Sequence, residues 1–460
     1  MKKVINFLKD NFILILICLV FLGTRLFRID SIPASVYWDE ASIGYNAYSV
    51  LTTGRDEWGE FLPLHFRAFG EFKLPVYIYS VVVSEFFFGL TPYAVRLPAV
   101  IFGLLSVLGL YLVVLKITNQ KKIALLSSFL FSITPWFFIF SRTGYEATAG
   151  LAFFIWAIYF LNKKTLVIAT LLFMISAYSY NSFRILTPLI LTPVLIYYLY
   201  KQSLLVPSKK EFIVVALSIT ILIVSVIPLY KLYKQDSGLS RLQTVGSKKN
   251  IVTNYFKNFS PSYLFLNGDT NPRSQIPQTG QLYYLDAIFL VLGVLYIFKS
   301  KNPKLLLVLA LLLLAPIPAA ITKENPHALR VILMSPVLST ISAIGIYYLT
   351  EIFKKQRGKL LTVIVVLYAL SFESYMYKFG TEYNKLSSSA WQSEYKEIFK
   401  KQKGGCVSDQ FAQPYIFALF YQKVNPNDFI NTRVLNLVSD WGFSTVASFG
   451  SFTFPKICKN

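Results

Sequence analysis

Residues 75–90 read Pro75-Val76-Tyr77-Ile78-Tyr79-Ser80-Val81-Val82-Val83-Ser84-Glu85-Phe86-Phe87-Phe88-Gly89-Leu90. The fold turns on whether this run crosses a membrane. If it does, every later apolar run reverses and Lys121 and Lys122 land on the outer side; if it does not, all the lysine clusters fall on one side. The run is short, carries Glu85, and offers Tyr77 and Tyr79, which suit the headgroup zone. We read it as a helix lying in or near the outer interface.

Working outward from that segment, the 460 residues are 55% hydrophobic and 15% charged. A soluble domain is about one quarter charged, so this is a polytopic membrane protein. Runs such as Asn11 to Ile29, Lys304 to Ile321 and Val331 to Thr350 reach the ~18 residues that read as spans. The net charge of +22 would suggest nucleic acid in a soluble chain. Here the lysines sit in short clusters between apolar runs, where they anchor the inner face and attract anionic lipid, so membrane lipid and not nucleic acid is the expected partner.

Placing Met1-Lys2-Lys3, 119–122, 162–164, 201–211, 299–304 and 354–359 inside gives an alternation without conflict. About eleven transmembrane helices follow, near residues 11–29, 95–116, 123–140, 146–161, 165–180, 184–200, 211–231, 282–298, 304–321, 329–350 and 359–377. The first run ends Thr24-Arg25-Leu26-Phe27-Arg28 without a small-residue cleavage site, so it is read as an uncleaved span. The expected fold is an all-α polytopic membrane unit over 1–378, with a large first outer loop (30–95) bearing interfacial helices. A small mixed α/β outer domain over 379–460 follows, strand-like from Phe443 to Phe454. Of three cysteines, Cys18 lies in the first span, while Cys406 and Cys458 bracket the tail on a potentially oxidising side, either paired in a disulfide that closes the small domain or left as two free thiols.

With this topology nearly all unusual polar residues gather at one face. Charge beside a bilayer is costly unless paired or functional, so the concentration marks an outward-facing site. The first outer loop carries Val36-Tyr37-Trp38-Asp39-Glu40-Ala41; its adjacent carboxylates point in different directions on a helix, and only one is expected to face a substrate. Next come Gly70-Glu71-Phe72-Lys73-Leu74-Pro75 and Tyr93-Ala94-Val95-Arg96-Leu97-Pro98, which opens the second span.

This order (span, Asp-Glu, Lys-x-Pro, interfacial helix, aromatic-x-x-Arg-Leu-Pro-x-x-x-Phe-Gly, span) resembles the first module of the GT-C membrane glycosyltransferases. That group holds the protein O-mannosyltransferases and the lipid A aminoarabinose transferase. The likeness runs from about Phe7 to Arg184, through Ser141-Arg142-Thr143-Gly144-Tyr145-Glu146 and Tyr180-Asn181-Ser182-Phe183-Arg184. Asp269-Thr270-Asn271-Pro272-Arg273 and Asn325-Pro326-His327-Ala328-Leu329-Arg330 add shorter signatures. Two departures stand out: Leu74 separates Lys73 from Pro75 where the aminoarabinose transferase has two prolines after its lysine, and the tail lacks the internal domain of eukaryotic O-mannosyltransferases.

The resemblance implies a GT-C fold in the plasma membrane with an extracytoplasmic active site. It further implies a dolichyl- or undecaprenyl-phosphate sugar donor, a protein, lipid or glycan acceptor, and Asp39 as catalytic base beside Glu40. A carrier leaving as phosphate needs cations, and an acceptor hydroxyl needs a carboxylate. The substrate- and phosphate-binding candidates are Glu71, Lys73, Arg96, Arg142, Glu146, Arg184, Asp269, Arg273, His327 and Arg330, with Lys73 and Arg330 foremost for the phosphate. Tyr255, Tyr263, Tyr283 and Tyr284 are either sugar-stacking or interfacial belt residues. Two histidines and scattered acids make no metal site by spacing, although a hard divalent cation between a carboxylate and the phosphate stays open. A transporter or flippase would place polar groups at midplane on broken helices in repeated halves, and this chain does neither. A saccharide polymerase or ligase would share the lipid-phosphate contacts but is not expected to begin with this loop.

Overall fold

The computed structural model describes residues 9–204, 209–234, 245–247, 249–437 and 444–458. Lys2 and Lys3, the 205–208 part of one lysine-rich loop, residues 235–244 and 248 of the long outer loop and Phe443 lie outside the described residues. The helices are α1 (Phe12–Leu26), α2 (Trp38–Thr53), α3 (Pro75–Phe88), α4 (Pro92–Thr118), α5 (Lys121–Ile133), α6 (Pro135–Phe140), α7 (Ala147–Phe160), α8 (Leu166–Ala177), α9 (Asn181–Leu204), α10 (Lys209–Tyr233) and α11 (Ile251–Lys257). After a π-helical turn at Ser262–Leu266 come α12 (Tyr284–Lys299), α13 (Leu306–Leu314), α14 (Ile317–Ala320), α15 (Met334–Ile352), α16 (Arg357–Thr381), α17 (Tyr383–Ser387), α18 (Ser393–Lys401), α19 (Pro414–Gln422) and α20 (Pro426–Thr432).

Five helical stretches among the described residues are long and apolar enough to cross a membrane: Pro92–Thr118, Asn181–Tyr200, Glu211–Tyr233, Pro303–Ala320 and Lys354–Thr381. The protein is therefore a mostly helical membrane protein. Phe12–Leu26, Ala147–Phe160 and Leu166–Ala177 are apolar but shorter, as is α3. The 14 residues of α3 span about 21 Å at ~1.5 Å per residue, less than a ~30 Å hydrocarbon core.

Local chemistry sets the bounds of α3 and α4. Leu74 is extended before Pro75, which occupies the first turn of α3, where its missing N–H costs nothing. Gly89, at φ 65°, ends α3. Two residues later the Thr91 side chain accepts from the Ala94 N–H, so the sequence Gly-Leu-Thr-Pro both stops one helix and caps the next. Deeper in the bundle α12 and α15 cross backbone to backbone: a Cβ on Gly293 would sit 2.1 Å from the Ile341 carbonyl oxygen, and one on Gly345 would sit 1.9 Å from that of Phe289.

Two buried clusters organise the rest. One is the helix bundle, running through Phe21, Phe131, Phe137 and Ile341. The other joins the first loop to the tail, packing Ala41 and Tyr45 of α2 and Ile78 of α3 against Phe417 and Phe420 of α19 and Phe429 of α20. The tail carries strands β3 (Gly405–Cys406), β4 (Val434–Leu435), β5 (Val446–Phe449) and β6 (Phe452–Thr453) in the order β3-β6-β5-β4. The expected strand-like stretch is the β5–β6 hairpin, which turns at Gly450. Cys406 and Cys458 form a disulfide across 52 residues. Arg67 of the first loop and Arg433 of the tail lie 3.9 and 5.1 Å from the Trp58 ring, and Arg67 also donates to the Ser444 carbonyl.

Candidate active site

Asp39 and Glu40 stand in the first turn of α2, about 100° apart around its axis, and that rotation separates their surroundings completely. Glu40 is fully buried. Its carboxylate accepts from Arg96 Nε at 3.0 Å, from Arg96 Nη2 at 2.9 Å and from the Gly144 N–H at 2.7 Å. Arg96 also donates to the carbonyls of Ile29, Pro33 and Ser35. The pair staples the exit of α1, the start of α2, α4 and the 141–146 turn together. Glu40 and Arg96, both nominated from sequence, are fully buried against each other and do not line the cavity that Asp39 faces.

Asp39 instead faces a cavity of about 260 Å³. Its Oδ1 lies 2.6 Å from Lys73 Nζ, and Glu71 Oε1 is 3.4 Å from the same ammonium. Lys73 is presented by a short antiparallel ladder, β1 (Phe66–Arg67) on β2 (Phe72–Lys73), with Gly70 at φ 72° turning the chain between them. Burial works against its charge, but Asp39, Glu146 and Glu71 outweigh that and raise its proton affinity, so it stays an ammonium.

The opposite wall comes from two turns that are tied together. Asp269 accepts from the Asn271 N–H at 2.9 Å and the Ala328 N–H at 2.7 Å, joining 269–273 to 325–330. These turns supply Arg273, His327 and Arg330 to the cavity. The Arg273 guanidinium sits 4.8 Å from the Tyr37 ring centroid and 6.0 Å from that of Trp38, and its buried Nε has no hydrogen-bond partner. Burial acts to lower its proton affinity, and Tyr145, Tyr37 and Asp39 more than offset this. Arg330 is more engaged, donating to Thr322 Oγ1 at 2.9 Å and pairing with Glu324 at 3.2 Å.

Of the residues nominated from sequence, Asp39, Glu71, Lys73, Glu146, Arg273, His327 and Arg330 share this cavity. Glu40, Arg96, Arg142, Arg184 and Asp269 do not line it. Arg142 is spent on the carbonyls of Thr24, Phe27 and Ile32. Arg184 bonds Asn181 and the Ala177 carbonyl and meets His65, whose proton affinity is lowered to about 4 by burial and then by that arginine. Tyr37, Trp38, Tyr145, Asn181, Asn271 and Glu324 line the cavity without having been singled out. Tyr37 and Trp38 directly precede Asp39-Glu40, and that adjacency was the available signal. The four tyrosines considered for stacking lie elsewhere: Tyr263 packs on Trp136, Tyr255 bonds the Leu313 carbonyl, and Tyr283 and Tyr284 border a second cavity.

A resident divalent cation does not fit these residues. Among the described residues no three His, Cys, Asp or Glu side chains group to hold one, and the position between Asp39 and Glu71 belongs to the Lys73 ammonium.

No model of a known protein family and no curated protein matches the sequence. Solved structures do match. The apo oligosaccharyltransferase of Archaeoglobus fulgidus aligns with a TM-score of 0.54 at 13% identity, over 89% of this chain and 63% of that one. The same archaeal enzyme, AglB, in complex with an inhibitory peptide and a dolichol-phosphate gives 0.53 at 11% identity, over 90% and 64%. This chain thus spans just under two thirds of the archaeal enzyme's length. ArnT from Cupriavidus metallidurans gives 0.49 at 12% identity, over 91% and 73%. At these identities the likeness is one of fold alone: the chain shares the fold of the archaeal enzyme.

Proposed function

We propose that this chain is a glycosyltransferase that moves one sugar from a polyprenyl-phosphate-linked donor to an acceptor hydroxyl, with inversion and with Asp39 as general base. The observation that carries the reading is one cavity holding a half-buried carboxylate, Asp39, flanked by the cations Lys73 and Arg273. Support by likeness comes from the archaeal transferase of the same fold, seen with a dolichol-phosphate.

The acceptor oxygen attacks the anomeric carbon, the bond from that carbon to the phosphate oxygen breaks with its electron pair leaving on the phosphate, and the acceptor proton passes to Asp39. Charge grows on the leaving phosphate, so Lys73 and Arg273 act most strongly in the transition state. As the Lys73 ammonium turns toward that phosphate, Asp39 loses its counter-ion and becomes the better proton acceptor just when the hydroxyl sheds its proton. Glu71 and Glu146 keep Lys73 charged while the shift occurs. The Tyr37 and Trp38 rings fix the Arg273 plane against the cavity wall.

The reading places about eleven crossings in the plasma membrane, counting the shorter apolar helices, with the cavity on the extracytoplasmic side. Residues 1–378 form the catalytic unit and 379–460 an appendage sharing a core with the first loop. A mannosyl-like hexose is the working donor sugar, and the acceptor is a protein, lipid or glycan hydroxyl. The test is mass spectrometry of membranes with and without the protein, followed by an assay with purified polyprenyl-phosphate sugar. Asp39→Asn should lower turnover by ~10²–10⁴ while donor binding persists. Undiminished transfer by that variant would remove Asp39 from the chemistry.

A further inference from the structure

At the membrane end where the first cavity opens, a second cavity of about 520 Å³, twice the volume of the first, lies between the start of α12 and the end of α16. The transfer reading makes no use of it. The two are separated by a single loop, which gives Arg273 and Ser274 to the first and Gln278, Thr279 and Gly280 to the second.

We propose that this second cavity is a binding groove for one anionic phospholipid, its phosphate held at Lys378 and one acyl chain laid along Leu370 and Leu367. The walls are graded from polar to apolar along α16. Lys378 and Ser374 stand near the helix end with Gln278 and Thr279 facing them, while Leu370 and Leu367 lie further down beside Leu285. Lys378 and Leu367 are eleven residues apart, which is about 16 Å of helix rise. That matches one leaflet of a ~30 Å hydrocarbon core. The helix belongs to the stretch Lys354–Thr381, long and apolar enough to cross. A lysine one turn from its end therefore sits at headgroup depth.

Charge selects the occupant. Among the described residues Lys378 is the only charged one lining the groove, no acid lines it, and Lys378 makes no ion pair. Access is sideways from lipid, since Leu370 and Tyr284 expose 55% and 69% of their surface. A sugar carrier is the weaker occupant, because its phosphate must stand beside a base and this groove holds no carboxylate. A bound lipid would also brace the loop that carries Arg273.

The experiment uses the full chain in phosphatidylcholine vesicles containing spin-labelled phosphatidylglycerol or spin-labelled phosphatidylcholine, and reads the motionally restricted lipid per chain. Lys378→Gln should lose about one restricted phosphatidylglycerol per chain relative to wild type, with phosphatidylcholine unchanged. Ser374→Trp, which fills the groove, should lower both. Unaltered melting of the two variants shows that they fold, and a variant that misfolds is replaced by Lys378→Met or Leu370→Trp, read the same way. The proposal is overturned if both groove variants hold as much phosphatidylglycerol as wild type. It is equally overturned if loss at Lys378→Gln is the same for both lipids, or if polyprenyl phosphate at equal mole fraction displaces the labelled phosphatidylglycerol.

Discussion

Replacing Glu40 by Gln separates the two carboxylates that the sequence places side by side. The side chain keeps its length and one acceptor oxygen, but the new amide nitrogen points a donor at either the Arg96 guanidinium or the Gly144 N–H, both of which already donate. Arg96 is fully buried and keeps, beside its backbone carbonyls, only one neutral amide oxygen, so its charge is uncompensated in a low-dielectric interior. Breaking a buried pair from one side costs about 3–5 kcal/mol. Glu40→Gln should therefore melt well below wild type and give little folded protein, and a double variant Glu40→Gln with Arg96→Met should recover part of that loss because the orphaned charge goes with it. Asp39→Asn should show the reverse, transfer nearly abolished with a smaller loss of melting temperature, because Glu71 and Glu146 still compensate the buried Lys73 ammonium. Thermal melting followed by size-exclusion chromatography, alongside turnover per folded molecule, reads both. A Glu40→Gln protein that melts like wild type yet fails to transfer sugar would refute the division, since Glu40 would then be acting on substrate.

The remaining predictions concern the cations, the loop–tail joint and the tail. Lys73→Met and Arg273→Met should each lower turnover at saturating donor by about 10–100-fold, the kinetic equivalent of a lost charge-assisted hydrogen bond worth about 1.5–3 kcal/mol; wild-type turnover in both would place the phosphate elsewhere. Arg330→Met should also loosen the 322–330 turn, seen as a lower melting point, because it removes the bonds to Thr322 and Glu324. Burial pushes the Glu57 carboxyl up to about 8 despite a hydrogen bond from Asn46. The unfolded chain sheds that proton near 4.5, so between these values unfolding releases a proton and stability falls as pH rises, by up to about 1.4 kcal/mol per unit, then levels off above 8. Glu57→Gln should remove this component from the melting-versus-pH curve, and identical curves would contradict it. Denatured, unreduced protein should show one reactive thiol, Cys18, and reduction of the Cys406–Cys458 bond should destabilise the tail by about 4 kcal/mol in the chain-entropy account; three reactive thiols would exclude the bond.

Much of the architecture was legible because membranes penalise charge. Apolar runs and lysine clusters alone mark most of the helices, whereas length does not separate α3, whose 14 residues equal those of α7 and exceed the 12 of α8. Where the reading blurred, a physical reason is visible. The tail shares a core with the first loop through contacts such as Tyr45 with Phe429, which join residues nearly 400 positions apart, and no local pattern announces such a pairing. The aromatic lining of the cavity was hidden among 30 tyrosines, whose composition alone suits both belt and pocket.

The charged residues carry the sharper lesson. Rarity beside a bilayer singled out Asp39, Lys73 and Arg273, and the same rarity singled out Arg96 and Arg142, which never reach the cavity. Both kinds answer one constraint. The last turn of α1 and the turns from Phe27 to Val36 precede α2, so several carbonyls there have no helical partner. Arg142 takes those of Thr24, Phe27 and Ile32, and Arg96 takes those of Ile29, Pro33 and Ser35. A planar guanidinium with five donors can satisfy three carbonyls at once, which a lysine cannot match in geometry. These arginines hold rigid the very segment that delivers Asp39 to Lys73. A charge at a membrane face is therefore evidence for a site in two ways, as a group that meets substrate or as one that fixes the backbone presenting it. Only the identity of its partner, carbonyl or cavity, tells them apart.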